Sequence, residues 1–348
     1  MTTTTAVPAG YTIDEVESTG ISDELVRQFV ELTWALEREQ TPEDPDRPFE
    51  AIAARIRVTS PMFTRKQWGA FQGGRLVGFG VMVRNHTGTN ENLRDVSVNA
   101  HPDHRRRGLG RALFARAVEA IGEGEEILLN GWTSSRVPAG IAFAERTGAK
   151  AALRMRMSQL ELTALDRDLM REWAAIDPRG YRLEWIDAET PDRLMANVIT
   201  AWDTMNTMPR EGLQMEDWKT TPEIVREQER MRRERGQEHL LLLAIDESTG
   251  ATASFTDLSW DPRAPHVIGQ GGTATVPEHR GKGLGKWVKA RMALRVLDEM
   301  PGARWIRTSN AGSNAAMLAI NTKMGFTLAW DNAVWQMPLA DAQRYVRR

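Results

Sequence analysis

The sequence predicts an α/β (α+β) protein made of two similar domains in tandem. Three observations lead there. A glycine-rich segment occurs twice in register, 175 positions apart. Each copy lies between a strand-like stretch and a helix-like one. A chain of 348 residues also suits two hydrophobic cores better than one.

The first copy reads His101-Pro102-Asp103-His104-Arg105-Arg106-Arg107-Gly108-Leu109-Gly110-Arg111, and the second Val276-Pro277-Glu278-His279-Arg280-Gly281-Lys282-Gly283-Leu284-Gly285-Lys286. Proline, an acid, histidine, arginine, Gly-Leu-Gly and a closing base recur in step, which marks an internal duplication. Before the first copy, Arg94 to Ala100 alternates apolar and polar residues as a half-buried strand does. Before the second, Gly269 to Val276 is glycine-rich and then β-branched. After the first copy Leu109, Leu113, Ala117 and Ile121 recur every four residues, an amphipathic helix. After the second, Leu284, Trp287, Val288, Leu294 and Leu297 give a less regular stripe that Pro301-Gly302 ends. Further strands are expected at Glu126–Trp132 and Arg304–Thr308. The domains are placed at 1–165 and 175–348. Between them, 166–175 looks helical and Asp177-Pro178-Arg179-Gly180 is a turn signal. The charged run Arg226–Arg235 reads as a solvated helix laced with i,i+4 pairs.

Composition narrows the function. Charged residues make up 26% and the net charge is −2, so neither nucleic acid nor an anionic membrane is expected as a partner. There are no cysteines, which excludes disulfides, thiolate metal sites and a cysteine nucleophile; no metal is expected. The start, MTTTTAVPAGYT, lacks the basic and apolar regions of a secretory signal, and no run approaches 18 uncharged apolar residues. A cytoplasmic monomer or homodimer is the expectation.

A strand that stops at a glycine turn and enters a helix aims several N–H groups and the helix's partial positive charge at one place. Phosphate oxygens fit there. Glycines 108, 110, 283 and 285 remove side chains from that concavity, and Arg105, Arg280, Lys282 and Lys286 add positive charge beside it. The spacing Arg-x-x-Gly-x-Gly is neither the dinucleotide fingerprint nor a P-loop.

At these residues the chain resembles the GNAT (GCN5-related N-acetyltransferase) superfamily, whose acetyl-CoA pyrophosphate loop reads Val-x-Pro-x-x-Arg-x-x-Gly-x-Gly. The similarity continues through Thr308 to Phe326, which resembles the family's later helix and its closing Gly-Phe. As a whole the chain is similar to actinobacterial tandem GNAT proteins. The resemblance implies in each domain a mixed, mostly antiparallel sheet flanked by helices, with a splayed central strand pair. It implies acetyl-CoA as co-substrate and an amine-bearing acceptor. It assigns cofactor binding to Ala274, Thr275, Val276, Arg280, Gly281, Lys282, Gly283, Leu284, Gly285, Lys286, Asn310 and Asn314. The main chain of Ala274–Val276 would pair with pantetheine and polarise the thioester.

The two copies diverge at the later helix. Aligning Gly148-Ala149 on Gly325-Phe326 places Val137 where Asn314 stands. Arg136 to Gly140 also reads as a poor helix start, because Pro138 and Gly140 disfavour one. The N-terminal domain is therefore read as degenerate and architectural, and the C-terminal one as catalytic. Without cysteine, direct attack of the amine on the thioester is expected. The family often protonates the leaving thiolate with a tyrosine. Here that place holds Asn321, and Tyr11, Tyr181 and Tyr345, the chain's three tyrosines, are expected near neither later helix. Asn321, Asp257 and His266 are the catalytic candidates, with Asp261, Glu211, Glu216 and Asp217 as further bases. Trp202–Arg210 is expected to contact the acceptor. Two alternatives stay open: a protein that binds or senses CoA without turnover, and a scaffold that binds none.

Overall fold

The structure, a computed structural model, describes residues 5–17, 19–124 and 126–348. The first four residues of the leading MTTTT stretch lie outside the described residues. The strands run β1 (Thr12–Glu15), β2 (Phe63–Gln72), β3 (Arg75–Asn85), β4 (Leu93–Ala100), β5 (Leu128–Ser134), β6 (Lys150–Glu161), β7 (Tyr181–Ile186), β8 (Glu238–Asp246), β9 (Thr252–Trp260), β10 (Val267–Thr275), β11 (Trp305–Ala311) and β12 (Thr327–Pro338). The helices are α1 (Asp23–Gln40), α2 (Phe49–Arg57), α3 (Leu109–Ile121), α4 (Pro138–Thr147), α5 (Arg167–Ala174), α6 (Met195–Asp203), α7 (Pro222–Glu234), α8 (Leu284–Glu299), α9 (Ala315–Met324) and α10 (Leu339–Arg347). Among the described residues no helix is long and apolar enough to cross a membrane.

The chain forms two compact units. The first holds Met1–Arg154, Glu211–Glu216 and Asp331–Arg348; the second holds Met155–Arg210 and Asp217–Trp330. Each takes a strand from the far half of the sequence. In the first unit, the sheet order β1-β2-β3-β4-β5 is completed by Asn332–Pro338 of β12, antiparallel to β5. In the second, Met155–Glu161 of β6 lies antiparallel to β11, followed by β10, β9, β8 and β7. The fold is mixed α/β with a mostly antiparallel sheet. Within the units, among the described residues, β4 pairs parallel with β5 and β10 with β11.

Both parallel pairs are short. Leu93–Asp95 matches Leu128–Asn130, and Val267–Gly269 matches Trp305–Arg307. Beyond these residues the two strands of each pair have no register with one another, so each central pair is splayed. The apolar stripe of α3, with Leu109, Leu113, Ala117 and Val118, covers one face of the first sheet. In the second unit α8 buries Leu284, Trp287, Val288, Met292 and Val296 against Leu240, Leu242 and Leu258, with Met170 and Trp173 of α5 beside them. Val198 and Ala201 of α6 and Val225 of α7 pack with Leu241, Leu243 and Phe255 in a separate cluster. Strand alternation separates these two sets. Each fully buried Leu or Val contributes about 1.5–3 kcal/mol relative to exposure.

One local expectation is overturned. Pro138 and Gly140 do not prevent the later helix of the first unit: α4 is ten residues long, as is α9. Pro138 is its first residue, where the missing N–H costs nothing and the fixed φ suits a helix. The charged run forms α7, where Arg230 pairs with both Glu227 and Glu234 at 2.6 Å.

Candidate functional site

In the second unit β10 ends at Thr275, a single 3-10 turn covers Pro277–His279, and α8 starts at Leu284. Gly281 and Gly283 have φ of 79° and 81°, which only glycine adopts without strain. A Cβ on Gly281 would meet nothing within 4 Å. The first N–H groups of α8 have no partners within the helix and open onto this turn. Arg280 Nε donates to Thr275 O at 3.1 Å and Nη2 to Thr207 Oγ1 at 2.9 Å. No carboxylate touches it among the described residues. Tyr181 anchors the turn: its hydroxyl meets His279 Nδ1 at 2.9 Å and accepts from Lys282 Nζ at 2.7 Å. Lys286 lies over the Trp173 ring at 5.4 Å.

The first unit builds the same turn and fills it differently. Tyr11 meets His104 Nδ1 at 3.1 Å and accepts from Arg107 at 3.2 Å, repeating the tyrosine anchor. Arg105, however, is clamped by Glu39 of α1, with contacts of 2.6 and 2.5 Å. A non-glycine, Arg106, takes φ of 61° where the other copy has Gly281. Pro8 lies 3.1 Å from where a Cβ on Gly108 would be, so the N-terminal segment packs on the turn. Phe143 of α4 stands against Gly110, 3.4 Å from its would-be Cβ. Tyr345, remote in sequence from α4, is brought against it: its ring lies 6.5 Å from that of Phe143.

A second difference lies in the strand leading into the turn. Pairing of β3 with β4 runs unbroken from Gly78–Ala100 to Val83–Asp95. Pairing of β9 with β10 breaks: the register jumps from Gln270–Leu258 to Thr273–Thr256. Gly271 and Gly272 form this bulge. A Cβ on Gly271 would sit 2.6 Å from Asp257 Oδ2, and one on Gly272 would sit 2.7 Å from the Phe255 ring. These close approaches explain the paired glycines.

Asp257, on β9, therefore lies directly on the bulge. Its Oδ2 accepts from His239 Nε2 of β8 at 3.0 Å. Arg232 of α7 is near enough to feel Asp257; burial pushes its pKa down and the carboxylate counters that. Trp202, Met205 and Met208 pack on the cluster containing Phe255 and Ala274. His266 is not brought to this place. It precedes β10 at the end away from the turn, and its carbonyl accepts from Arg304 and Trp305 at 2.9 Å. Asp261 pairs with Arg263, Asp217 with Arg210, and Glu216 with Asn90 in the first unit, where Glu211 also accepts from Arg154 N. These acids have structural partners.

On the other side of the splay, Asn321 of α9 is 2% exposed. Its Nδ2 donates to Asn310 Oδ1 at 2.9 Å, while Asn321 Oδ1 and Ser309 Oγ are buried without partners. Rotating both amides would leave a donor unpaired instead. Either way, one end of Asn321 is free in a buried place. Asn314 caps α9 through Met317 N at 3.3 Å, and its Nδ2 lies 3.5 Å from Met208 Sδ. Val276 N donates to Ala253 O and its carbonyl accepts from His279 N, so both main-chain groups are already engaged. Among the described residues no group of three metal-ligating side chains gathers.

Sequence reasoning missed His239, Gln270 and Lys289. For Lys289 a signal existed: a charge set four residues after Gly285 within the apolar stripe of α8. His239 carried none, since strand pairing alone brings it to Asp257.

Residues 27–149 match the acetyltransferase (GNAT) family. No curated protein sequence matches the chain. A solved tandem GNAT protein from the clavulanic acid biosynthesis pathway is 26% identical, with a TM-score of 0.77 over 94% of this chain and 98% of that one. A GCN5-related N-acetyltransferase from Sphaerobacter thermophilus is 11% identical, with a TM-score of 0.67 over 96% of this chain and 97% of its own. A putative acetyltransferase from Pyrococcus horikoshii is 14% identical, with a TM-score of 0.55 over 96% and 91%.

Proposed function

For a chain whose residues 27–149 match the GNAT acetyltransferase family and whose fold is similar to that of a tandem GNAT protein, we propose an N-acetyltransferase that moves an acetyl group from acetyl-CoA to an amine by direct attack. The donor site is the glycine turn of the second unit. One observation carries this choice: among the described residues Arg280 meets only hydroxyl and carbonyl oxygens, while Arg105 is neutralised by Glu39. An arginine already paired with a carboxylate has little left for a phosphate. The family match falls on the first unit. It reports the shared fold and loop there, and function lives in the site rather than the fold.

The residues fit acetyl-CoA as co-substrate. The turn at Gly281–Gly285, with Arg280, Lys282 and Lys286, holds the pyrophosphate. Main chain of Ala274 and Thr275 takes the pantetheine arm, with Asn310 and Asn314 as its side-chain partners. Main-chain N–H groups at the bulge polarise the thioester carbonyl. Asp257, oriented by His239, takes the proton from the attacking amine. A C–N bond forms and the C–S bond breaks. With its amide and that of Asn310 rotated so that Nδ2 is the free end, Asn321 gives the departing thiolate a hydrogen bond, and water protonates it.

Thiol release from acetyl-CoA against an amine panel tests this reading. The chain has no cysteine, so a thiol reagent sees only liberated CoA. Amine-dependent release is expected. Tight acetyl-CoA binding with no release across the panel would favour the second reading, a CoA sensor, which the asparagine at 321 in place of an acid supports.

A further inference from the structure

Lys289 has no part in the reaction described above, yet it sits where a lysine is costly. It is 2% exposed on α8, and burial pushes its pKa down to about 7. Its Nζ donates to Gln270 Oε1 at 2.7 Å and otherwise faces the Phe326 ring, 5.3 Å from its centroid. A methionine would fill this space without desolvating an amine. The lysine must therefore be explained by what it holds.

It holds Gln270, the residue at which β10 leaves its register with β9. Gln270 Nε2 donates to Thr256 Oγ1 at 2.9 Å and to Thr273 Oγ1 at 3.0 Å, and those two hydroxyls bond each other at 2.8 Å. The side chain thus spans the bulge from its first flanking residue to its last. Lys289 fixes the amide's oxygen and with it the direction of the amide. Gly285, at the phosphate turn, lies one helical turn before Lys289, a rise of about 6 Å.

We propose that Lys289 is a positioning residue: through Gln270 it ties the Gly271–Gly272 bulge to α8 and sets the main-chain N–H groups there relative to the phosphate turn. The proposal rests on the donor site assigned above. Pyrophosphate and thioester are opposite ends of one ligand, so a rigid link between the elements that hold them aligns the carbonyl with its donors. Misplacing such donors by about 1 Å costs on the order of 100-fold in rate.

The test needs no acceptor. Acetyl-CoA labelled with carbon-13 at the carbonyl is bound to the full chain and its C=O stretch recorded. In the wild type the stretch moves to lower frequency than in free acetyl-CoA, as polarisation requires. In Lys289→Met the complex still forms, but the stretch returns toward the free value; with a competent amine, kcat falls about 100-fold while KM for acetyl-CoA changes little. Gln270→Leu gives the same loss from the strand side, and the double variant loses no more than either single one. A folded Lys289→Met or Gln270→Leu protein that keeps the wild-type frequency overturns the positioning role and leaves the donor site standing. If the wild type binds no acetyl-CoA, both fall.

Discussion

Glu39 holds Arg105 at both terminal guanidinium nitrogens, 2.6 and 2.5 Å away, whereas among the described residues the equivalent Arg280 reaches only Thr207 Oγ1 and Thr275 O. Both side chains of the first pair are less than a third exposed. The same sequence position thus serves as a structural clasp in one unit and as an available cation in the other. Glu39→Gln should cost about 1–3 kcal/mol of stability, because it leaves a half-buried guanidinium with a weaker partner. Denaturant titration reads this. A variant as stable as the wild type would mean the clasp contributes nothing.

Lys289 makes stability depend on pH in a defined window. Its folded pKa, about 7, lies below its unfolded value of about 10.4. Between these values the unfolded state binds more protons, so this group's contribution to stability rises with pH through the window. Below about pH 7 both states are protonated and its penalty is constant. Lys289→Met should therefore be more stable than the wild type at pH 7, with the advantage shrinking toward pH 10. Parallel stability curves for the two proteins would contradict the assignment.

Asp257 and Gly271 should act together. Asp257→Asn removes the base and should lower kcat by about 100- to 10,000-fold with little change in acetyl-CoA affinity. Gly271→Ala puts a methyl group at a point 2.6 Å from Asp257 Oδ2, which must swing the carboxylate off His239. Its kcat should fall in the same direction. Full activity in Asp257→Asn would remove it as the base.

Gly283 has φ of 81° with only Ile176 near its would-be Cβ, at 3.5 Å. Backbone conformation, rather than space in the free protein, is what a side chain would upset. Gly283→Val should fold less stably and lose CoA binding, because valine disfavours positive φ and the turn's N–H groups then lose their common aim. Wild-type CoA affinity in the folded variant would displace the site from this turn.

Much of this organisation was legible in the sequence because it is local. The turn, the helix after it and the charged pairs of α7 follow from glycine placement, apolar spacing and i,i+4 charges. The long-range links left no such mark. Nothing in Asn332–Pro338 announces that it pairs with β5, and nothing in His239 announces Asp257. The start of α4 was misread because Pro138 looks like a breaker until its place as the first helical residue is known. Tyr345 was set aside on sequence distance, which says nothing about α10 packing beside α3 and α4.

The most direct test of the account compares two substitutions by titrating CoA into each protein. Arg280→Ala removes a charged hydrogen bond to phosphate, a contact of about 1.5–3 kcal/mol, so Kd should rise about 10- to 150-fold. Arg105→Ala breaks the clasp to Glu39 and should leave Kd within about twofold of the wild type, at some cost in stability. The reverse pattern, Arg105→Ala crippling CoA binding while Arg280→Ala is silent, would place the donor site in the first unit and contradict the account.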